Sequence, residues 1–221
     1  MLATPRISSA RTSLGERAYR RIRRMIVTLE LAPGDALREG VLQAELGIGR
    51  TPIREALQRL AREQFVTVVP RRGMFVTGID AGELPLLYET RAVLEPYATR
   101  LAAERGGAEQ WDAMAAALAR AGRHGVTPTE LIDIDRRCHE LTWAAAGNRF
   151  LTDTLDALYA QSDRVWHLYL AGVADMGQAV AEHTEILAAL RARDAASAAQ
   201  LAEHHVRAFD AQIHAALSDA R

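Results

Sequence analysis

Asp135 and His139 stand four residues apart in the stretch DIDRRCHELTW, a spacing that puts both side chains on one face of a helix. That face also carries Ile132, Trp143 and Ala146, so it is the inward one. His183 is central to the apolar stripe of Ala179, Ile186, Leu187 and Leu190. His205 falls in line with Ala198, Leu201, Phe209 and Ala216, whereas His204 points elsewhere. A single inward histidine is ordinarily a hydrogen-bonded core residue. Three histidines and an aspartate on the inward faces of three helices suit a divalent transition metal instead, because bundle interiors build metal sites from side chains on facing helices. Imidazole nitrogens with one carboxylate fit zinc first, with nickel, manganese or iron as alternatives, and leave positions open for water or a ligand. A hydrogen-bonded polar core is the competing reading.

Arg91 and Glu95 repeat the oddity on another helix, sharing the inward stripe of Leu84, Leu87, Tyr88, Leu94, Ala98 and Leu101. They are either an i, i+4 pair tied off inside the bundle, or an effector site in which Arg91 grips a carboxylate or phosphate with its fork. Trp143, Tyr159, Ser162, Trp166 and Tyr169 could line such a pocket or simply form core. Catalysis finds no support. His139-Glu140-Leu141-Thr142-Trp143 has Trp where a zinc-protease helix needs its second His, and Glu140 and Glu182 each turn about 100° away from the neighbouring candidate ligand. Gly-x-Ser-x-Gly, a phosphate-cradling glycine loop and a plausible cysteine nucleophile are all missing, so an enzyme is not expected.

A second kind of chemistry lies nearer the N-terminus, in GIGRTPIREALQRLAREQF, Gly47 to Phe65. At 100° per residue Ile53, Ala56, Leu57 and Leu60 form one packing stripe, and Thr51, Arg54, Glu55, Gln58 and Arg62 lie opposite. A solvated face is the bland reading. The polar residues nearest the N-terminus, however, follow a short helix and a glycine turn, where a recognition helix enters the major groove of double-stranded DNA. Arg50 and Arg54 are candidate base readers, since a guanidinium fork can bond guanine O6 and N7 together. Thr51 is a candidate for phosphate or base, and Arg38 and Gln58 belong to the same surface. Arg59 and Arg62 are farther along, where backbone contact or plain solvation is expected. Arg71, Arg72 and Gly73 suit a wing on the minor groove or a solvated turn.

These residues need elements to hold them. Ala18, Ile22, Met25, Ile26 and Leu29 recur at helical spacing from Leu14 to Leu31, and Pro33-Gly34-Asp35 ends that helix. A short helix over Arg38 to Leu46, a turn at Gly47 and a third helix from Arg50 follow, with Pro52 tolerated in the first turn. Two β-rich runs, Phe65 to Val69 and Met74 to Thr77, are joined by Pro70-Arg71-Arg72-Gly73 as a hairpin. The expected organisation is a flexible arm over 1–13, a winged helix-turn-helix over 14–77, a linker over 78–82 and an all-α bundle over 83–221. The fold class is mainly α. Six helical segments are expected in the bundle: Glu83 to Arg105, Ala108 to His124, Pro128 to Ala146, Asn148 to Ala171, Gln178 to Arg193 and Asp194 to Ser218.

Charge divides the same way. Residues 1–79 hold fourteen arginines against seven acidic residues, and the remainder thirteen basic against twenty-one acidic, so a formal total of −1 hides a basic front and an acidic back. A basic small domain is the footprint of a phosphate-backbone binder. Cys138 is the only cysteine, so no intrachain disulfide can form, which suits a reducing cytoplasm. Neither a signal peptide nor a run of about 18 apolar residues is present, so no membrane partner is expected.

The run from Leu14 to Val76, with LAPGDAL, ELGIGRTPIREALQRL and VVPRRGMFV, resembles the GntR family of bacterial transcription regulators. Leu29 and Gln64 stand where that family usually has Gly, and Gly49 where it usually has a capping Ser. The later motifs ETRAVLEPYATRLAA, DIDRRCHELTWAAAGN and EHTEILAALRARDAASAAQLAEHHV resemble the FCD ligand-binding domain of the FadR-like subgroup, and the six-helix count looks like its shorter, VanR-type branch. The resemblance implies that Asp135, His139, His183 and His205 hold the ion. It also implies a homodimer on a palindromic operator, controlled by a small organic acid bound at the metal and Arg91. A metal-responsive regulator without an organic effector is the alternative. Cys138 replaces what is often an aromatic and is no ligand, and Asn148 is expected to cap the following helix.

Overall fold

The structure is a computed structural model, and it describes residues 13–80, 82–169 and 176–219, without the side chains of Tyr169 and residues 216–219. Residues 1–12 of the expected arm, Ala171, Gly172, and the side chains of Tyr169 and Ala216 therefore lie outside the described residues. The chain divides into two compact units at Ile79 and Asp80. The described residues form nine helices and two strands. None of those helices is long and apolar enough to cross a membrane.

In the first unit α1 (Leu14–Val27), α2 (Glu39–Leu46) and α3 (Arg50–Arg62) precede β1 (Val66–Val69) and β2 (Gly73–Val76). Ser13 starts α1 by accepting a bond from the Glu16 amide at 3.1 Å. The stripe Ile53, Ala56, Leu57 and Leu60 is buried against the α1 face of Ala18, Ile22, Met25 and Ile26. Each large aliphatic side chain buried there contributes about 1.5–3 kcal/mol. Gly47 ends α2 with φ +63, a left-handed turn that an L side chain would strain. The hairpin pairs Val66 with Val76 and Val69 with Gly73. Ala36 bridges Phe75, and backbone bonds from Gly34 to Val76 (2.9 Å) and Leu37 to Met74 (2.8 Å) add the LAPGDAL segment as a third strand-like edge. Its Pro and Gly conceal that role in the sequence.

Arg59 corrects the sequence-based expectation. It stacks over the Tyr19 ring at 3.6 Å and donates to Glu16 at 2.9 Å and Glu63 at 3.0 Å, so it clamps α1 to α3. Helix α1 is also shorter than its periodicity suggested, because Leu29 turns left-handed at φ +60, as does Gln64 at φ +64 after α3.

The second unit consists of α4 (Leu84–Arg105), α5 (Ala108–Leu118), α6 (Pro128–Ala145), α7 (Arg149–Tyr169), α8 (Met176–Arg191) and α9 (Ala195–Asp219). The helix expected to reach His124 stops at Leu118, and turns running to Gly125 (φ +81) take up the difference. Helix α6 opens on a reciprocal cap, in which Thr127 Oγ1 accepts from the Glu130 amide and Glu130 Oε2 accepts from the Thr127 amide. Asn148 Oδ1 caps α7 by accepting from the Phe150 amide at 3.1 Å. Helix α4 packs against α6, α7, α8 and along α9, so side chains pointing inward from α4, α6, α8 and α9 can meet.

Gln64 is exposed and left-handed, a conformation that costs an L residue about 1–2 kcal/mol. Gln64→Gly should therefore raise the urea-unfolding stability of the first unit by about 0.5–1 kcal/mol, after glycine's larger entropy loss is subtracted. A decrease would show that Gln64 makes compensating contacts.

Candidate metal centre and reading surface

Helix α6 supplies Asp135 and His139, α8 supplies His183 and α9 supplies His205. All four are buried, and one donor atom from each lies within 4.8 Å of the others. His183 Nε2 is 2.8 Å and His205 Nε2 3.5 Å from Asp135 Oδ1, and His139 Nε2 is 3.7 Å from Oδ2. Three ring nitrogens thus converge on one carboxylate. Tyr159 from α7 donates its hydroxyl to Asp135 Oδ2 at 2.7 Å.

The outer edges of two rings fix their tautomers. His139 Nδ1 lies 3.2 Å from Glu95 Oε2, and His205 Nδ1 lies 2.7 Å from Glu182 Oε2. A carboxylate only accepts, so each Nδ1 carries a proton. The inner Nε2 atoms of these two rings are 3.2 Å apart. As lone pairs they would repel at that distance, and a cation between them removes the conflict. A proton or a metal ion can serve. Histidine anchored by a carboxylate behind the ring is the usual arrangement around a bound metal. Among the described residues, Nδ1 of His183 is buried without a hydrogen-bond partner.

Electrostatics agree with a site built for positive charge. Burial alone would raise the Asp135 carboxyl, but the charges of His139 and His183 and bonds from His183 and His205 hold it well below the usual range. Burial, then the charge of His205, pushes His183 down to about 4. For His205 burial opposes the proton, yet the bonds to Asp135 and Glu182 win and raise it to about 9. A proton on His205 and a metal ion would compete for the same ring lone pair. Three imidazoles and one carboxylate, buried and convergent, fit a divalent transition ion.

Arg91 is buried and tied on two sides. Its Nη2 donates to Glu95 Oε1 at 2.9 Å and its Nη1 to Ser162 Oγ at 3.0 Å, while the group lies 5.1 Å from the Tyr159 ring centre. Glu95 Oε2 meanwhile accepts from Trp143 Nε1 at 2.8 Å besides facing His139. Glu95 therefore links Arg91 to a cluster histidine, and protein donors engage both its oxygens. Of the aromatic candidates, Trp143 and Tyr159 border the cluster, whereas Trp166 donates to Tyr88 at 3.0 Å and serves the core.

In the first unit Arg38, Arg50, Thr51, Arg54, Gln58, Arg71, Arg72 and Gly73 are all exposed. Gly49 starts α3 without a side-chain cap. Arg50 and Arg54 both bond Glu39, which leads α2. Sequence periodicity passed over Glu39 and set Glu182 aside as turned away from His183, yet each reaches its partner from a different helix, beyond any periodic pattern. Glu182, turned from His183 in its own helix, faces His205 in another.

Residues 14–76 match the family model for bacterial regulatory proteins of the gntR family, and residues 86–208 match that for the FCD domain. The chain is 34% identical over 194 residues to an uncharacterized HTH-type transcriptional regulator from an unstable DNA locus of Streptomyces ambofaciens, covering 87% of this chain and 82% of that one. It is 28% identical over 203 residues to the transcriptional repressor GlaR of Escherichia coli K12, covering 85% and 90% respectively. Among solved structures, McbR/YncC of E. coli shares the fold with a TM-score of 0.82 at 20% identity, over 92% of this chain and 98% of that one. These relatives are transcription regulators and not enzymes. With a winged helix-turn-helix over residues 14–76 and an FCD helical domain over residues 86–208, the chain belongs to the GntR family of DNA-binding transcription regulators, in its FadR-like subgroup.

Proposed function

We propose that this regulator senses a small carboxylate at a divalent metal held by Asp135, His139, His183 and His205, and that the bound state sets its affinity for a palindromic operator. The observation that carries the metal is the pair of Nε2 atoms 3.2 Å apart whose rings are both anchored from behind by carboxylates. The donor chemistry favours zinc, with nickel, manganese or iron as the other candidates. When bound, the ion supplies a Lewis-acidic position for an anionic ligand. Arg91 supplies a second cationic group, one residue away through Glu95 and beside Tyr159. Its remaining N–H groups can bond a carboxylate oxygen, and Glu95 holds the guanidinium in place for that contact.

Arg50 and Arg54 are assigned to base edges, with Arg38, Thr51 and Gln58 on backbone or base and Arg71, Arg72 and Gly73 on the minor groove. Their exposure on one basic unit supports this assignment. A homodimer fits the exposed apolar line of Leu86 (63% exposed), Val93 (67%) and Tyr97 (53%), seven and four residues apart on one face of α4. Two-fold symmetry would then set the two half-sites. The same helix carries Arg91, so ligand contact and dimer face share one rigid element. The effector must favour one arrangement of the dimer over another, since equal affinity for both would shift nothing. The six helices among the described residues of the second unit support the VanR-type branch, and DNA as partner supports the cytoplasm.

Elemental analysis tests the metal first. The purified protein should carry about one ion per chain and His183→Ala close to none, with unchanged helical circular dichroism; parental metal content in the variant would reject the site. On a duplex selected from random DNA, Arg54→Ala should lose about 1–3 kcal/mol of binding and relax base preference, whereas undiminished binding would remove Arg54 from the reading surface. Removing Arg91 outright would strand buried Glu95, so Arg91→Lys is the cleaner change. It should abolish thermal stabilisation by small mono- and dicarboxylates while metal content persists. An undiminished thermal shift would make Arg91 a helix-pairing residue only.

A further inference from the structure

Arg50 and Arg54 do not stand free in the DNA-free protein. Glu39 Oε2 accepts from Arg50 Nε at 2.8 Å, and Glu39 accepts from Arg54 through Nε to Oε1 at 2.9 Å and Nη2 to Oε2 at 3.3 Å. Both guanidiniums thus meet the carboxylate on the Nε side. The Nη1 hydrogens and the outward hydrogen of each Nη2 remain, and that end-on pair is the edge that matches guanine O6 and N7. The side-chain exposures order the three groups: 69% for Arg50 and 52% for Arg54, against 22% for Glu39. The carboxylate sits behind and the arginines in front. Bonds from Arg54 and Arg50 also hold the Glu39 carboxyl below the usual range, so it is charged at neutral pH.

We propose that Glu39 is a specificity-determining positioning residue, which holds the guanidiniums of Arg50 and Arg54 by their Nε edges and presents their terminal edges to the bases. This rests on the reading of those two arginines as base readers. Glu39 widens the gap between right and wrong DNA in two ways. It restrains both side chains before binding, which reduces the ordering cost of the base contact. Its negative charge also offsets one of the two positive charges that would otherwise attract any phosphate.

The test compares two duplexes of equal length and composition at one salt concentration, one selected from random DNA by the parent protein and one scrambled. Glu39→Ala should lower the ratio of selected to scrambled affinity about tenfold or more, with scrambled binding unchanged or tighter. Glu39→Gln should lower it less, because an amide oxygen still accepts but carries no charge; it decides the matter alone if the alanine variant is too unstable. An equal gain on both duplexes would reduce Glu39 to a repulsive charge, and an unchanged ratio with a lower melting temperature would reduce it to a strut between α2 and α3. Either result overturns the proposal. Arg54→Ala in the same assay separates the two levels. If it leaves the ratio unchanged, the base-reading assignment itself fails. If it lowers the ratio while both Glu39 variants do not, only the role of Glu39 fails.

Discussion

A carboxylate with no exposed surface cannot keep its charge in a protein interior unless positive or hydrogen-bonding partners are brought to it, and Asp135 is such a carboxylate. Much of the second unit is organised around that requirement. The spacing from Asp135 to His139 supplies one partner from the same helix, and the other two come from α8 and α9, which must pack with α6 and α4 for the charge to be tolerated. Behind the imidazoles stand further carboxylates, Glu95 and Glu182, and behind Glu95 stands Arg91. The result is a chain of alternating acidic and basic side chains from the cluster to α4. A divalent ion at its centre would satisfy the inner nitrogens together, which no arrangement of ring protons does as fully.

The first unit obeys a different constraint. Its core is apolar and conventional, and its arginines divide by what lies behind them. Arg59 has Tyr19, Glu16 and Glu63, and is absorbed into the α1–α3 contact. Among the described residues, Arg50 and Arg54 bond Glu39, near the N-terminal ends of α2 and α3. Identical residue types on one helix are thus absorbed into structure at one end and left exposed at the other.

Sequence periodicity revealed what depends on one helix or one hairpin. The stripe of Ile53, Ala56, Leu57 and Leu60, the hairpin tip at Arg71-Arg72-Gly73 and the inward set of Asp135, His139, His183 and His205 all follow from local spacing, and the structure gathers the last four within 4.8 Å. What periodicity could not show were contacts made across elements. The strand-like edge of LAPGDAL exists only because β2 offers it a partner. Glu182 looked turned away from the cluster because only its own helix was considered, and Glu39 had no signal at all. The departures at Leu29 and Gln64 from the glycines of the GntR pattern were visible in sequence, but their left-handed backbone, which explains why glycine suits those places, was not.

The central claim is that a metal in the buried cluster governs the reading of DNA. Its most direct test is the operator affinity of chelator-stripped protein, measured before and after zinc is returned, with a stabilising carboxylate present throughout. Metal occupancy should change the affinity reversibly and by the same factor in repeated cycles. The same affinity with the site stripped and refilled would contradict the account, leaving the cluster as a polar core with no part in control.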